Sequence, residues 1–304
     1  MKIVERRLPS SDGIHNLYVM EYIPDGKVKG IVQFVHGMTE HIERYNPIME
    51  ELCSLGFVAV GHNHLGHKVS SDDKDLGFIA EDRGYELLIK DVVAVGDNIM
   101  SKYPGAKQFL FGHSMGSFVV RLAALEMENT LSGLIICGTG GYNPASGLGI
   151  EICKAVKKVK GERYVSKLVY DLAFSTYNKR FDGGEGYAWL SQNSENIENY
   201  KKDKYCTFKF TVSAMQDLIT LNKLSNQKVW YKNIRKDLPI FIISGEMDPV
   251  GNYSKGVKEV YEKLTKVGAN ARLKLYPKMR HEVLMDDCRA EVITDVTRFI
   301  SENL

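Results

Sequence analysis

The sequence predicts an α/β protein: a mostly parallel central sheet flanked by helices, with an inserted helical cap. Three observations carry this expectation. Short β-branched or aromatic runs alternate with longer stretches of helical periodicity, the pattern of strands joined by crossovers. The strand candidates at 31–35, 57–61, 108–111 and 134–137 are apolar and bounded by glycine or proline, which suits strands covered on both faces. Finally, about a hundred residues, from Gly138 to Pro239, separate two neighbouring strand candidates, far beyond an ordinary connection.

Taken in order, residues 3–8 and 17–23 flank the turn cluster Ser10-Ser11-Asp12-Gly13 and predict an antiparallel hairpin. Strand 31–35 leads to a helix over 45–55, then strand 57–61. Over 85–103, Leu88, Val92, Val95 and Ile99 recur at helical spacing until Pro104-Gly105 stops the helix. Strand 108–111, a helix over 117–128 and strand 134–137 follow. The long connection carries its own helical patterns: Ile152, Val156 and Val159, then Leu168 and Leu172, then Met215, Leu218 and Leu221. Beyond it come strand 240–244, a helix over 253–267, strand 272–276 and a last helix near 289–299. The expected organisation is a core of residues 1–140 and 236–304, with a cap of residues 141–235 over the carboxyl edge of the sheet. That edge is where open α/β sheets bind ligands.

Composition narrows the classes. The 304 residues are 44% hydrophobic and 26% charged, so a disordered chain is excluded. Forty basic against thirty-eight acidic residues give +2, which argues against a nucleic-acid partner. Five scattered cysteines (Cys53, Cys137, Cys153, Cys206, Cys288) form no CxxC pair, so neither a disulfide framework nor a structural zinc site is expected. The first residues carry no apolar signal-type run and no stretch has the length of a membrane span, so the expected location is cytoplasmic.

The chemistry centres on Gly112-His113-Ser114-Met115-Gly116. A GxSxG match alone is weak, since chance supplies roughly 0.1 per chain of this length. Its placement between a strand and a helix is what a nucleophile elbow requires, with glycines relieving crowding at the sharp turn. The plainer reading is a glycine-rich turn in which Ser114 caps a helix. A neutral serine needs a base, and the base needs an orienting acid. The acid candidate is Asp248, in Gly245-Glu246-Met247-Asp248-Pro249-Val250 after a buried strand, with Glu246 as its rival. The base candidate is His281, in the loop after the last strand. The helix N-terminus sets the Met115 N–H beside Ser114, one donor for an oxyanion, and Met38, after His36-Gly37, offers a second.

With these pieces in place the chain resembles the α/β-hydrolase superfamily, in its monoacylglycerol lipase/lysophospholipase-like (serine aminopeptidase-like) branch of bacterial type. The resemblance rests on His36-Gly37-Met38 with Glu40-His41, Gly112–Gly116, Gly245–Val250 and Arg280-His281-Glu282-Val283-Leu284. It extends into the cap through Trp189-Leu190-Ser191, Tyr200, Asp203, Cys206 and Phe208-Lys209-Phe210-Thr211. It implies Ser114 as nucleophile, His281 as base, Asp248 as its partner and Met38 and Met115 as backbone oxyanion donors, with no metal or organic cofactor. The implied activity is ester hydrolysis through an acyl-enzyme on monoacylglycerol or lysophospholipid-type substrates. Small-ester or cinnamoyl esterase, thioesterase and aminopeptidase remain alternatives on the same residues, as does a ligand-binding protein of poor turnover. An aminopeptidase needs acids in the cap to hold an amine, for which Glu185 and Glu195 are available. Two departures stand out. Asn63 and Lys68 replace an aspartate and a glycine of the branch's usual turn, and Gln192-Asn193 stands where an acidic cap residue is common.

Weaker signals have bland readings beside the sharp ones. His62, His64 and His67 match no metal-ligand spacing and read as a turn supporting the site from behind. Lys154, Lys157, Lys158 and Lys160 read as a solvated helix face, with peripheral membrane contact through the cap as the alternative. The cap aromatics Tyr164, Tyr170, Phe174, Tyr177, Phe181, Tyr187 and Trp189 suit either an acyl tunnel or the cap's own core.

Overall fold

A computed structural model describes residues 1–181 and 186–304. Eight strands form one sheet: β1 (Lys2–Pro9), β2 (Asn16–Ile23), β3 (Gly30–Val35), β4 (Phe57–His62), β5 (Lys107–His113), β6 (Leu131–Cys137), β7 (Ile240–Gly245) and β8 (Ala271–Tyr276). Their spatial order is β1-β2-β4-β3-β5-β6-β7-β8. β1 and β2 pair antiparallel, as the turn cluster predicts, and Asp12 closes the turn by accepting the Ile14 and His15 N–H groups. β2 also runs antiparallel to β4, and every pairing from β4 through β8 is parallel.

The ten helices among the described residues are α1 (Asn46–Ser54), α2 (Gly84–Lys102), α3 (Met115–Glu126), α4 (Ser146–Lys160), α5 (Lys167–Phe174), α6 (Ser194–Lys202), α7 (Val212–Ser225), α8 (Lys228–Asn233), α9 (Lys255–Lys266) and α10 (Arg289–Glu302). Side chains alternate across the sheet. Val58, Val60, Ile31 and Val35 join one core with α2, α3 and α9, while Phe57, Ala59, Val32 and Phe34 join the other with α1 and α10. Covered twice, β3, β4 and β7 are buried at every residue.

Helices α4 to α8 all lie between β6 and β7, so the long connection is a helical insertion. Of these, α6 and α8 carry no strong apolar period and were not foreseen. Helix α6 is held instead by polar capping, with Asn193 accepting the Asn196 N–H at 3.0 Å. The expected start of α3 at Ser117 moves to Met115, directly after Ser114, because Ser114 O already accepts the Ser117 N–H at 2.9 Å. No helix among the described residues is long and apolar enough to cross a membrane.

Candidate active site

The elbow forms where β5 ends at His113 and α3 begins at Met115. Ser114 between them has φ 54° and ψ −121°, a left-handed backbone that costs a non-glycine residue about 1–3 kcal/mol. The surroundings enforce it: Ser114 N–H donates to Cys137 O at 3.0 Å. Two glycines make the close approach possible. A Cβ at Gly116 would run into the Val35 carbonyl, and one at Gly37 would stand 2.9 Å from the Ser114 Cβ.

His281 and Asp248 reach the same edge from the ends of β8 and β7. His281 Nδ1 lies 2.9 Å from Asp248 Oδ2, with the two residues 2% and 0% exposed. Facing a carboxylate, Nδ1 carries the hydrogen, which leaves Nε2 as the basic nitrogen. Asp248 is fixed in turn by the Val250 N–H at 2.8 Å and the Ser244 hydroxyl at 3.3 Å. Glu246, the rival acid, turns to the surface and accepts the Lys278 N–H at 3.4 Å. The Trp189 ring from the insertion covers His281, with centroids 5.0 Å apart.

The strap after β3 brings Met38 beside the elbow. Among the described residues neither the Met38 nor the Met115 N–H has a hydrogen-bond acceptor, and both residues line the cavity that Ser114 and His281 face. His36 shapes the turn: its Nδ1 donates to Gly37 O at 2.8 Å and its Nε2 accepts the His64 N–H at 3.0 Å. Glu40 then folds back, accepting the Gly37 N–H, the Tyr45 hydroxyl and His113 Nδ1. His113 Nε2 faces His281 O at 3.3 Å. With an acceptor at each nitrogen the ring must donate twice, as an imidazolium. Burial alone would lower the His113 pKa, but the Glu40 carboxylate outweighs it and raises the value. Burial likewise opposes a charged Glu40, yet His113 and Arg44 hold it down at about 2.

Arg44 extends this network. Its guanidinium pairs with Glu282, one residue past His281, at 2.9 Å, and with Asn196 of α6 at 3.1 Å. Tyr200 of α6 donates to Thr39 O at 2.9 Å. Sequence reading noticed Glu40 and Glu282 only as parts of motifs and passed over Arg44, Tyr45 and Asn196. The Glu40/Arg44 spacing of four was the available signal.

His62, His64 and His67 pack with His36 as a buried group, ring centroids 4.3 to 5.9 Å apart. Burial keeps all four neutral, pushing His62 to about 3 and His67 to about 4. The departures from the branch pattern have local causes. Asn63 accepts the Ile42 N–H at 2.8 Å, a bond an aspartate would make equally well. Lys68 takes φ 40° where a glycine is usual, and its ammonium lies 2.8 Å from Glu43. Asn193 caps α6, and Gln192 N–H donates to Asp286 at 3.0 Å.

The cavity has a volume of about 670 Å³. Beyond the polar edge of Ser114, His113 and His281 much of its wall is apolar, including Leu148, Ile152, Val169, Phe174, Met215 and Leu218, with polar residues such as Asn143, Asn178, Lys209 and Asn222 interspersed. Of the cap aromatics, Tyr170, Phe174, Tyr177, Tyr187 and Trp189 line it, whereas Tyr164 is exposed and Phe181 is buried beneath Arg280. Glu195 is exposed on α6 and away from the lining, and Glu185 lies outside the described residues.

A family model described as serine aminopeptidase, S33 (Hydrolase_4), matches residues 26–288. The chain belongs to this hydrolase family. Within the S33 hydrolases it is 35% identical to the monoglyceride lipase homolog of Monkeypox virus, over 40% of this chain and 42% of that protein. It is 24% identical to the monoacylglycerol lipase of Mycolicibacterium smegmatis, over 93% of this chain and 92% of that one. The chain spans about two-fifths of the length of the first curated relatives it matches, namely 42% and 41%. In structure it is similar to a thermostable carboxyl esterase from Bacillus coagulans solved with glycerol. There the TM-score is 0.94 and identity 28%, covering 100% of this chain and 99% of that one. The α/β-hydrolase architecture expected from sequence is the one observed.

Proposed function

We propose that this chain is a serine hydrolase that cleaves carboxylic esters through an acyl-enzyme, with monoacylglycerol or lysophospholipid-type substrates. One observation carries the reading: Ser114 and the Asp248-bound His281 stand at the edge of a large cavity whose wall is mostly apolar. In the proposed reaction Ser114 Oγ attacks the acyl carbonyl while His281 Nε2 takes its proton, and Asp248 stabilises the imidazolium that forms. The Met38 and Met115 N–H groups receive the charge developing on the carbonyl oxygen, and losing one such donor typically costs about 3 kcal/mol of barrier. His281 returns the proton to the departing alkoxide. A water molecule, activated by the same nitrogen, then releases the acid.

The names of the relatives and the glycerol in the Bacillus coagulans esterase favour an acylglycerol. Among the described residues an amine finds no free acid, because the two that line the cavity, Glu40 and Glu282, are already held by His113 and Arg44. We also take residues 141–235 as a working cap over a core of 1–140 and 236–304. Its exposed Leu148, Leu168 and Leu172, near Lys154 and Lys167 in the chain, suit peripheral contact with a lipid surface. Five free thiols suit the reducing cytoplasm.

The test is hydrolysis of p-nitrophenyl esters from acetyl to palmitoyl by wild type and Ser114→Ala, with fluorophosphonate labelling. The expected result is a serine-dependent optimum at medium or long chains. An acetyl optimum would replace the lipid reading with a small-ester one. Absence of both labelling and turnover would leave a binding protein.

A further inference from the structure

Three residues on from Met38, His41 meets the link between α6 and α7. His41 Nε2 lies 2.8 Å from Asp203 Oδ2. One donor atom each of His41, Asp203 and Cys206 lies within 4.8 Å of the other two. On the far side of the ring, Nδ1 lies 2.8 Å from Glu43 Oε2, and Lys68 holds Glu43 by its other oxygen. Carboxylate oxygens thus face both ring nitrogens. The Lys68 ammonium also lies 3.4 Å from Nδ1. At 2.8 Å two lone pairs cannot face each other bare, so either a proton or a metal ion stands between Nε2 and Asp203. Cys206 is 1% exposed and, among the described residues, its thiol makes no hydrogen bond, although it lines the cavity.

We propose that His41, Asp203 and Cys206 form a binding site for Zn²⁺ or a similar soft divalent cation, linking the strap that carries Met38 to the cap. An imidazole nitrogen, a carboxylate oxygen and a sulfur are the donor set zinc prefers, and three protein ligands leave a fourth position for water. Glu43 supplies the outer carboxylate that normally orients a metal-binding histidine. Charge balances as well. Zn²⁺ with the Asp203 carboxylate and a Cys206 thiolate sums to zero, the thiol proton leaving to solvent on binding. The largely buried site therefore holds the dication with no net charge among its ligands. Metal bonds of about 2.1 Å at a tetrahedral angle set N and O about 3.4 Å apart, so the pair must open only slightly. The nearby cations stand away from the metal-facing atoms: Arg44 is bound to Glu282, and Lys68 lies 2.8 Å from Glu43 and 3.4 Å from His41 Nδ1, on the side of the ring away from Asp203. The expectation of no metal rested on the family resemblance and on the absence of a ligand spacing in the sequence, and no spacing could show this group, since His41 and Asp203 stand 162 residues apart.

The test titrates the full chain, freed of metal by chelation, with Zn²⁺ in two buffers of different ionisation enthalpy, and separately with Co²⁺. Expected are one saturable Zn²⁺, release of the thiol proton, and a thiolate-to-cobalt charge-transfer band. Cys206→Ser should abolish that band, while Cys153→Ser, at a buried thiol elsewhere in the cap, should leave it. Glu43→Gln should weaken Zn²⁺ binding about 10- to 100-fold. Absence of one saturable Zn²⁺ below a Kd on the order of 100 µM would overturn the site, as would a cobalt band that survives Cys206→Ser.

Discussion

Glu40 Oε1 lies 2.9 Å from His113 Nδ1, so the strap carrying Met38 and the elbow carrying Ser114 share one buried ion pair. The same carboxylate holds the Gly37 N–H and the Tyr45 hydroxyl, and Arg44 ties its other oxygen to Glu282 beside His281. The Met38 strap, the elbow and the segment after His281 are therefore tied by one polar network, while Asp248 is held separately by Val250 and Ser244.

Removing that carboxylate leaves the buried His113 without its anion, while Arg44 keeps Glu282. Glu40→Gln is expected to destabilise the fold by about 3–5 kcal/mol, the usual result of breaking one side of a buried pair. Tyr45→Phe removes one hydrogen bond and should cost only about 1 kcal/mol. Urea denaturation of both variants at pH 7.5 compares them, and equal losses would show that the pair carries no special weight.

The neutral histidine group predicts acid lability. His62 and His67 have folded pKa values of about 3 and 4, below the unfolded value near 6.5. The unfolded chain then binds more protons, so their contribution is complete above pH 6.5 and is lost as pH falls below it. At pH 5 each costs about 2 kcal/mol. Thermal unfolding from pH 8 to pH 5 should show the decline. His62→Leu, which also removes two unpartnered buried nitrogens, should flatten it.

Asp217 works in the opposite sense. It is buried on α7 with Oδ2 against the start of α2 at Gly84, and burial pushes its carboxyl up to about 7. Because the folded value exceeds the unfolded one near 4, stability declines as pH rises through 4 to 7 and stays low above. Asp217→Asn should therefore gain on the order of 2–4 kcal/mol at pH 8 and little at pH 4. Denaturation at the two pH values reads this directly.

Blocking the apolar wall should change chain-length preference. Ile219 lines the cavity from α7. Ile219→Trp should shift the p-nitrophenyl ester optimum to shorter chains, lowering kcat/KM for palmitoyl at least about tenfold against butyryl. An unchanged profile would place the acyl chain elsewhere.

The sequence by itself determined the layered architecture, because a strand buried on both faces must be apolar throughout and an amphipathic helix must repeat at 3.6 residues. Short motifs at strand ends mark Ser114, Asp248 and His281 as candidates for the same reason: the parallel strands deliver their carboxyl ends to one edge. Tertiary structure alone chose Asp248 over Glu246 to meet His281, since two carboxylates two residues apart differ only in where the turn aims them. It also decided which cap aromatics face the cavity. The Glu40, Arg44, His113 and Glu282 network and the approach of His41 to Asp203 lay beyond reading. Polar contacts between segments 73 to 238 residues apart leave no local period, and they exist only once the chain has closed around them.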